Sequence, residues 1–280
     1  MRINKDSLAA RAKNISAEKG VSPTVVYVRF FFDAFLKRLA LSSYRDTFVL
    51  KGGLYLSSVL GISNRSTIDI DFLATNFSLE ESGLLKAFQQ LCMMNIGDNV
   101  TFECLRMSPI RIEDSYGGFQ VELLGRLENI KQQFGIDIAT GDPITPSEII
   151  YGYHCLVTGE TISLQAYSLE TVIAEKLETF LIRGTANSRS KDFYDLYILH
   201  QMQRDCISLN ILKKAFEQTC HYRHFAISKK EAIRLAESVR DNSLCQTRWK
   251  AYQKKANYSQ GISFIDVIDA IIQWIEIALD

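Results

Sequence analysis

The chain has 280 residues, 32 basic against 32 acidic side chains, and 47% hydrophobic residues, enough for the core of one large domain or two modest ones. Its best apolar run, 25–41, is interrupted by Arg29, Asp33, Lys37 and Arg38, which excludes a membrane span. The first residues, MRINKDSLAARAKN, lack the apolar stretch of a signal peptide, and the six cysteines are scattered without a CxxC pair, so the reading is a soluble, cytoplasmic protein with reduced thiols.

Ser22-Pro23 reads as a helix cap followed by proline at the first helical position. The helix it opens carries Val25, Val28, Phe32, Phe35, Leu36 and Leu39 at helical spacing, with Lys37 and Arg38 expected on the wet side. Phe48-Val49-Leu50 forms a short strand, Gly52-Gly53 a turn, and Leu54, Leu56, Val59 and Leu60 mark the next helix. A strand through Thr67 to Phe72 then places Asp69 and Asp71 on one face, with Ile68, Ile70 and Phe72 expected in the core. A helix around Leu79 to Cys92 precedes three β-like segments, 100–107, 119–127 and 134–139, punctuated by Gly117-Gly118 and Gly141-Asp142-Pro143. Ser168 caps a helix to about Arg183, and the remainder is helical. The predicted division is 1–165, N-terminal helices and a sheet, and 166–280, a helical domain.

The chemistry concentrates in two places. Asp69 and Asp71 repel each other unless water or a cation lies between them, and hard divalent cations such as Mg²⁺ take carboxylate oxygens. The Gly52-Gly53 turn opening a helix suits the close approach of a polyphosphate to backbone N–H groups. A third carboxylate, to polarise an attacking hydroxyl, is expected at Asp137, between apolar residues on a predicted strand, with Glu122 as its competitor.

The second place joins Lys176 to the segment KDFYDL, residues 191–196. Lys176 falls on the apolar stripe of Leu169, Val172, Ile173, Leu177, Phe180 and Leu181, while Glu175 does not. An inward lysine is expensive unless it meets an anion. Asp192 and Asp195, at i and i+3 on the next helix, offer one such partner; a nucleotide phosphate is the other, and a purely structural ion pair between two helices is the plain alternative. Between residues 201 and 260 twelve Lys or Arg accompany five Asp or Glu, a basic stretch equally consistent with a solvated helical face and a nucleic-acid footprint.

KGGLYLSSVLGISNRSTIDIDF, followed by AEKLETF and RSKDFYDLY, resembles the AbiEii/AbiGii toxin family of nucleotidyltransferase-like proteins, to which the MenT toxins are related; VSPTVVYVRFFFDAFLKRLALSSYRDTFVLKGG extends the similarity, which covers roughly residues 1–200. The resemblance implies an α+β fold, a DNA polymerase β-like nucleotidyltransferase core with a helical C-terminal domain. It also implies a nucleoside triphosphate and Mg²⁺, and the role of toxin in a bacterial toxin–antitoxin or abortive-infection pair, with an antitoxin as partner. On it, Gly52, Gly53, Arg65 and Thr67 bind nucleotide, Asp69 and Asp71 hold the metal, Lys176 is the catalytic lysine, and Asp192 (or Asp195) is the aspartate of the last motif, with Asp137 the further carboxylate. The acceptor it allows is a tRNA 3′ end or a protein hydroxyl. The 15 residues between Gly53 and Asp69 exceed the spacing of compact nucleotidyltransferases, which implies a longer intervening helix.

Overall fold

The computed structural model describes residues 3–77, 80–110 and 117–280. The chain divides into two compact units, one of Met1–Gly141 and Ile149–Ala166, the other of Asp142–Glu148 and Tyr167–Asp280.

The first unit holds α1 (Lys5–Lys19), α2 (Pro23–Leu41), α3 (Gly52–Leu60), α4 (Glu81–Met93) and seven strands: β1 (Phe48–Lys51), β2 (Asp69–Ala74), β3 (Val100–Pro109), β4 (Gly118–Leu127), β5 (Ile130–Thr140), β6 (Ile149–His154) and β7 (Thr161–Ala166). They form one mixed sheet in the order β3-β4-β5-β2-β1-β7-β6. β2 runs parallel to β5 and β1 parallel to β7, and the other pairs are antiparallel. Leu79, where a helix was expected to begin, lies outside the described residues; α4 starts at Glu81.

Period-2 alternation gives the sheet one apolar face. Ile70, Phe72, Val121, Leu123, Phe134, Ile136 and Ile138 are buried there. Phe32 and Phe35 of α2 meet Phe134, with ring centroids 5.2 and 6.5 Å away, and Phe88 of α4 stacks on Phe35 at 5.8 Å. Helix and sheet approach closely because Gly125 has no side chain: a Cβ there would lie 2.3 Å from the Phe31 ring. Each of these rings contributes about 2–3 kcal/mol by leaving water.

Ser22 accepts from the Val25 N–H, as its sequence position predicts, but α2 is buried on nearly every side. Arg38 is accordingly not on a wet face; it is fully buried, with its guanidinium bonded to both Asp98 carboxylate oxygens at 2.8 and 2.9 Å and to the carbonyls of Ala34, Met94 and Val100. Ile68 also departs from expectation. It is 72% exposed because β2 begins one residue later, at Asp69.

The second unit packs α5 (Leu169–Arg183), α6 (Ser190–Gln203), α7 (Leu209–Tyr222), α8 (Lys229–Asp241), α9 (Ser243–Gln253) and α10 (Phe264–Ala278). Ser168 caps α5 through the Thr171 N–H at 3.1 Å. The centre of the bundle is α10, where fully buried Trp274 donates its indole N–H to the Leu196 carbonyl of α6 at 3.0 Å. Asp142–Glu148 is fastened to this unit: the Thr145 carbonyl accepts from the Ser168 hydroxyl at 2.8 Å, and Asp142 accepts from Arg223 at 3.2 Å. No helix among the described residues is long and apolar enough to cross a membrane.

Candidate active site

In the first unit the predicted residues gather at the junction of β1, α3 and β2. The chain turns from β1 into α3 at Gly52, whose φ of +61° lies in the left-handed region. The glycine is required twice, since a Cβ at Gly52 would sit 2.1 Å from Asp71 Oδ2. Stripped of that obstacle, the Gly53 N–H donates to Asp71 Oδ2 at 3.0 Å. The glycine pair therefore fixes a carboxylate at the positive end of a helix.

Strand register then assembles a polar row. Lys51 pairs with Asp71, Asp71 with Asp137 on the parallel neighbour β5, and Asp137 with Gln120 on β4. Partnered residues share a face, so Asp71 and Asp137 stand side by side, with Asp69 two residues along β2 on the same face. Gln120 Nε2 donates to Asp137 Oδ1 at 2.8 Å, and the Thr67 hydroxyl donates to Asp69 Oδ1. Burial pushes the Asp137 carboxyl above its ordinary range; the Gln120 hydrogen bond works against this, and the charge of Asp69 adds to it. Glu122 lies in the neighbouring row, partnered with Gly135, and is engaged by Arg106 at 3.2 Å and Gln133 at 3.3 Å. Asp137, not Glu122, is thus the carboxylate brought alongside Asp71.

Arg65 is 1% exposed and donates to the Ser66 carbonyl, so it braces the approach to β2 from inside. Among the described residues no three His, Cys, Asp or Glu side chains converge tightly enough to enclose a metal ion. The donor set is nonetheless of the type a hard cation takes: carboxylate oxygens whose second ligands, the Thr67 hydroxyl and the Gly53 N–H, hold them in place.

In the second unit Lys176 of α5 reaches both aspartates of α6. Nζ lies 2.6 Å from Asp192 Oδ1 and 2.9 Å from Asp195 Oδ2. The expectation that one of them faces the lysine gives way to both, because residues three apart on a helix share a side. Burial alone would lower the lysine pKa; Asp192 and then Asp195 more than reverse that, so Lys176 is held as a cation above its ordinary range.

Two further residues escaped the sequence reading. Glu178 is buried beneath Arg223, whose Nη1 donates to Glu178 Oε2 at 2.6 Å while Nη2 holds Asp142. Burial raises the Glu178 carboxyl and Arg223 opposes the rise. The signal was present: Thr171, Ala174, Glu178 and Leu181 follow helical spacing and are all buried. In the basic segment, Lys213 and Lys229 are both drawn to Asp280, at 3.6 and 3.0 Å.

No protein of curated function matches the sequence significantly. Among solved structures, a candidate nucleotidyltransferase from H. pylori superposes with a TM-score of 0.55 at 17% identity, covering 92% of this chain and 96% of that one. JHP933 from Helicobacter pylori gives 0.50 at 16% identity, covering 92% and 93%. These likenesses show the nucleotidyltransferase-like fold. The family model for the nucleotidyl transferase AbiEii toxin of type IV toxin–antitoxin systems matches residues 34–270, and the chain belongs to this family.

Proposed function

We propose that the protein is a toxin that transfers a nucleotide from a nucleoside triphosphate to an acceptor hydroxyl with release of pyrophosphate. The observation that carries this reading is the polar row in which Gly52 makes room for Asp71 and register sets Asp71 beside Asp137. An acceptor oxygen bonds to the α-phosphorus as the bond to the β-phosphate bridge breaks, and the hydroxyl proton passes to a carboxylate. Asp137 suits that role, because its raised affinity for a proton makes it a better acceptor than an ordinary carboxylate; Asp192 is the other group of the right chemistry. Lys176 offsets phosphate charge, and Arg65 and Thr67 hold the loop and Asp69 in place.

Asp69 and Asp71 would hold Mg²⁺, which when bound supplies positive charge to the phosphates. The acceptor we infer is the 3′ end of a tRNA, favoured by the basic stretch 201–260, in which Lys214, Lys230, Lys250, Lys254 and Lys255 are the lysines outside the Asp280 cluster of Lys213 and Lys229. The setting is the cytoplasm, with an antitoxin as partner.

Asp69→Ala and Lys176→Ala should each abolish growth inhibition on expression and also transfer of label when the protein is incubated with each labelled triphosphate and total RNA. Full toxicity in either variant would overturn the mechanism, and label on protein instead of RNA would overturn the tRNA assignment.

A further inference from the structure

The lysine cluster carries more negative charge than an ion pair needs. One ammonium and two carboxylates sum to a single net negative charge, which opposes the approach of a phosphate. The two aspartates are not equivalent. The Asp195 side chain is 0% exposed, whereas Asp192, in the first turn of α6, is 14% exposed beside a lysine 15% exposed. An ammonium has three donors. Two go to these carboxylates, and no described protein group is bonded to the third.

Resting on the nucleotidyl-transfer reading, we propose that Asp195 is a positioning residue that anchors Lys176 permanently, and that Asp192 is the exchangeable partner a triphosphate displaces from the lysine. Asp195 cannot leave, since moving a buried carboxylate away from its cation strands a charge. Asp192 can turn toward water at little cost. With Asp195 in place, displacement of Asp192 frees two donors for phosphate while the ammonium stays where it was.

The two variants should therefore move affinity in opposite directions. In Asp192→Asn the lysine keeps its buried anchor and gains a free donor, so the Kd for the triphosphate falls at least threefold. In Asp195→Asn the lysine is left paired to Asp192 alone, a partner the phosphate must now break, and Kd rises tenfold or more. The measurement is equilibrium binding of each of the four nucleoside triphosphates with Mg²⁺ to the full-length protein, with circular dichroism as the check on folding. In a Lys176→Ala background both effects should vanish, which a merely structural role for Asp195 would not produce.

Shifts of the same sign in both variants, or shifts that persist without Lys176, overturn the assignment. If Asp195→Asn fails to fold, the Asp192→Asn arm still decides, because no tightening there refutes an exchangeable Asp192. If wild-type protein binds and transfers no triphosphate, the parent reading fails as well, an outcome distinct from normal transfer with same-sign shifts.

Discussion

Gly52→Ala tests the geometry on which the first cluster depends. The substitution has two separable costs. Alanine at φ +61° is strained by about 1–2 kcal/mol, as an L-residue in the left-handed region is anywhere. The added Cβ would also lie 2.1 Å from Asp71 Oδ2 and 2.7 Å from Asp71 Cβ, contacts that only displacement of the aspartate can relieve. That displacement breaks the Gly53 N–H bond to Asp71, a hydrogen bond to a charged group contributing about 1.5–3 kcal/mol. Together the loss should be about 2.5–5 kcal/mol. Gly20→Ala is the control: its φ is +66°, but a Cβ there meets nothing within 4 Å, so it should show the strain alone. The assay is urea unfolding of both variants followed by label transfer from the triphosphate. Gly20→Ala should keep wild-type transfer and Gly52→Ala should lose it. Equal stability losses with transfer intact in both would refute the argument that Gly52 exists to accommodate Asp71.

Asp137→Asn should abolish transfer when Mg²⁺ is present, yet in protein freed of divalent cations by chelation it should raise the melting temperature at pH 7. The sign follows from the raised carboxyl: the folded state holds that proton more tightly than the unfolded chain, so stability is lost as pH rises from the ordinary value of 3.8 through the raised one. The gain should accordingly disappear below pH 3.8, and a variant less stable than wild type at pH 7 would contradict it. Arg38→Met should destabilise the first unit by about 3–5 kcal/mol, because Asp98 and three carbonyls lose a buried partner. A loss below about 1 kcal/mol in urea unfolding would show that water replaces the guanidinium there.

Local signals carried far in this chain. The caps at Ser22 and Ser168 are side-chain hydrogen bonds to residues three positions on, so sequence contains everything they need. Asp69 and Asp71 share a face through strand period alone. What failed depended on partners distant in sequence. Arg38 was assigned to water because helical periodicity ranks a charge as polar, whereas its carboxylate lies 60 residues away. β6 was missed because its edge position leaves few buried residues: it buries only Tyr153, and without alternation there is no period to read, whereas Ile162, Leu164 and Ala166 of its neighbour β7 do alternate over a span of six residues. Gln120 was invisible as a partner of Asp137 until the β4–β5 register was known. The choice between Asp192 and Asp195 could not be made from spacing, since i and i+3 place both on the side that a single lysine reaches.

Both clusters carry an excess of negative charge, and this bears on why either would attract a triphosphate. Adjacent strands are about 4.8 Å apart, so two ionised carboxylates paired across them repel by roughly 3 kcal/mol at an effective dielectric of 20. Asp69, Asp71 and Asp137 share one face with Lys51 at the end of the row, which leaves the row anionic. The upward shift of Asp137 is caused first by burial, and the charge of Asp69 adds to it. A polyanionic substrate adds to the repulsion instead of relieving it. Cationic charge is thus needed before phosphates can settle on this row, and a divalent cation on Asp69 and Asp71 would supply it. A protein that used this row only as scaffold would lose little by replacing Asp137 with asparagine, and three carboxylates gathered on one face around a glycine cradle are the physical case for a working site.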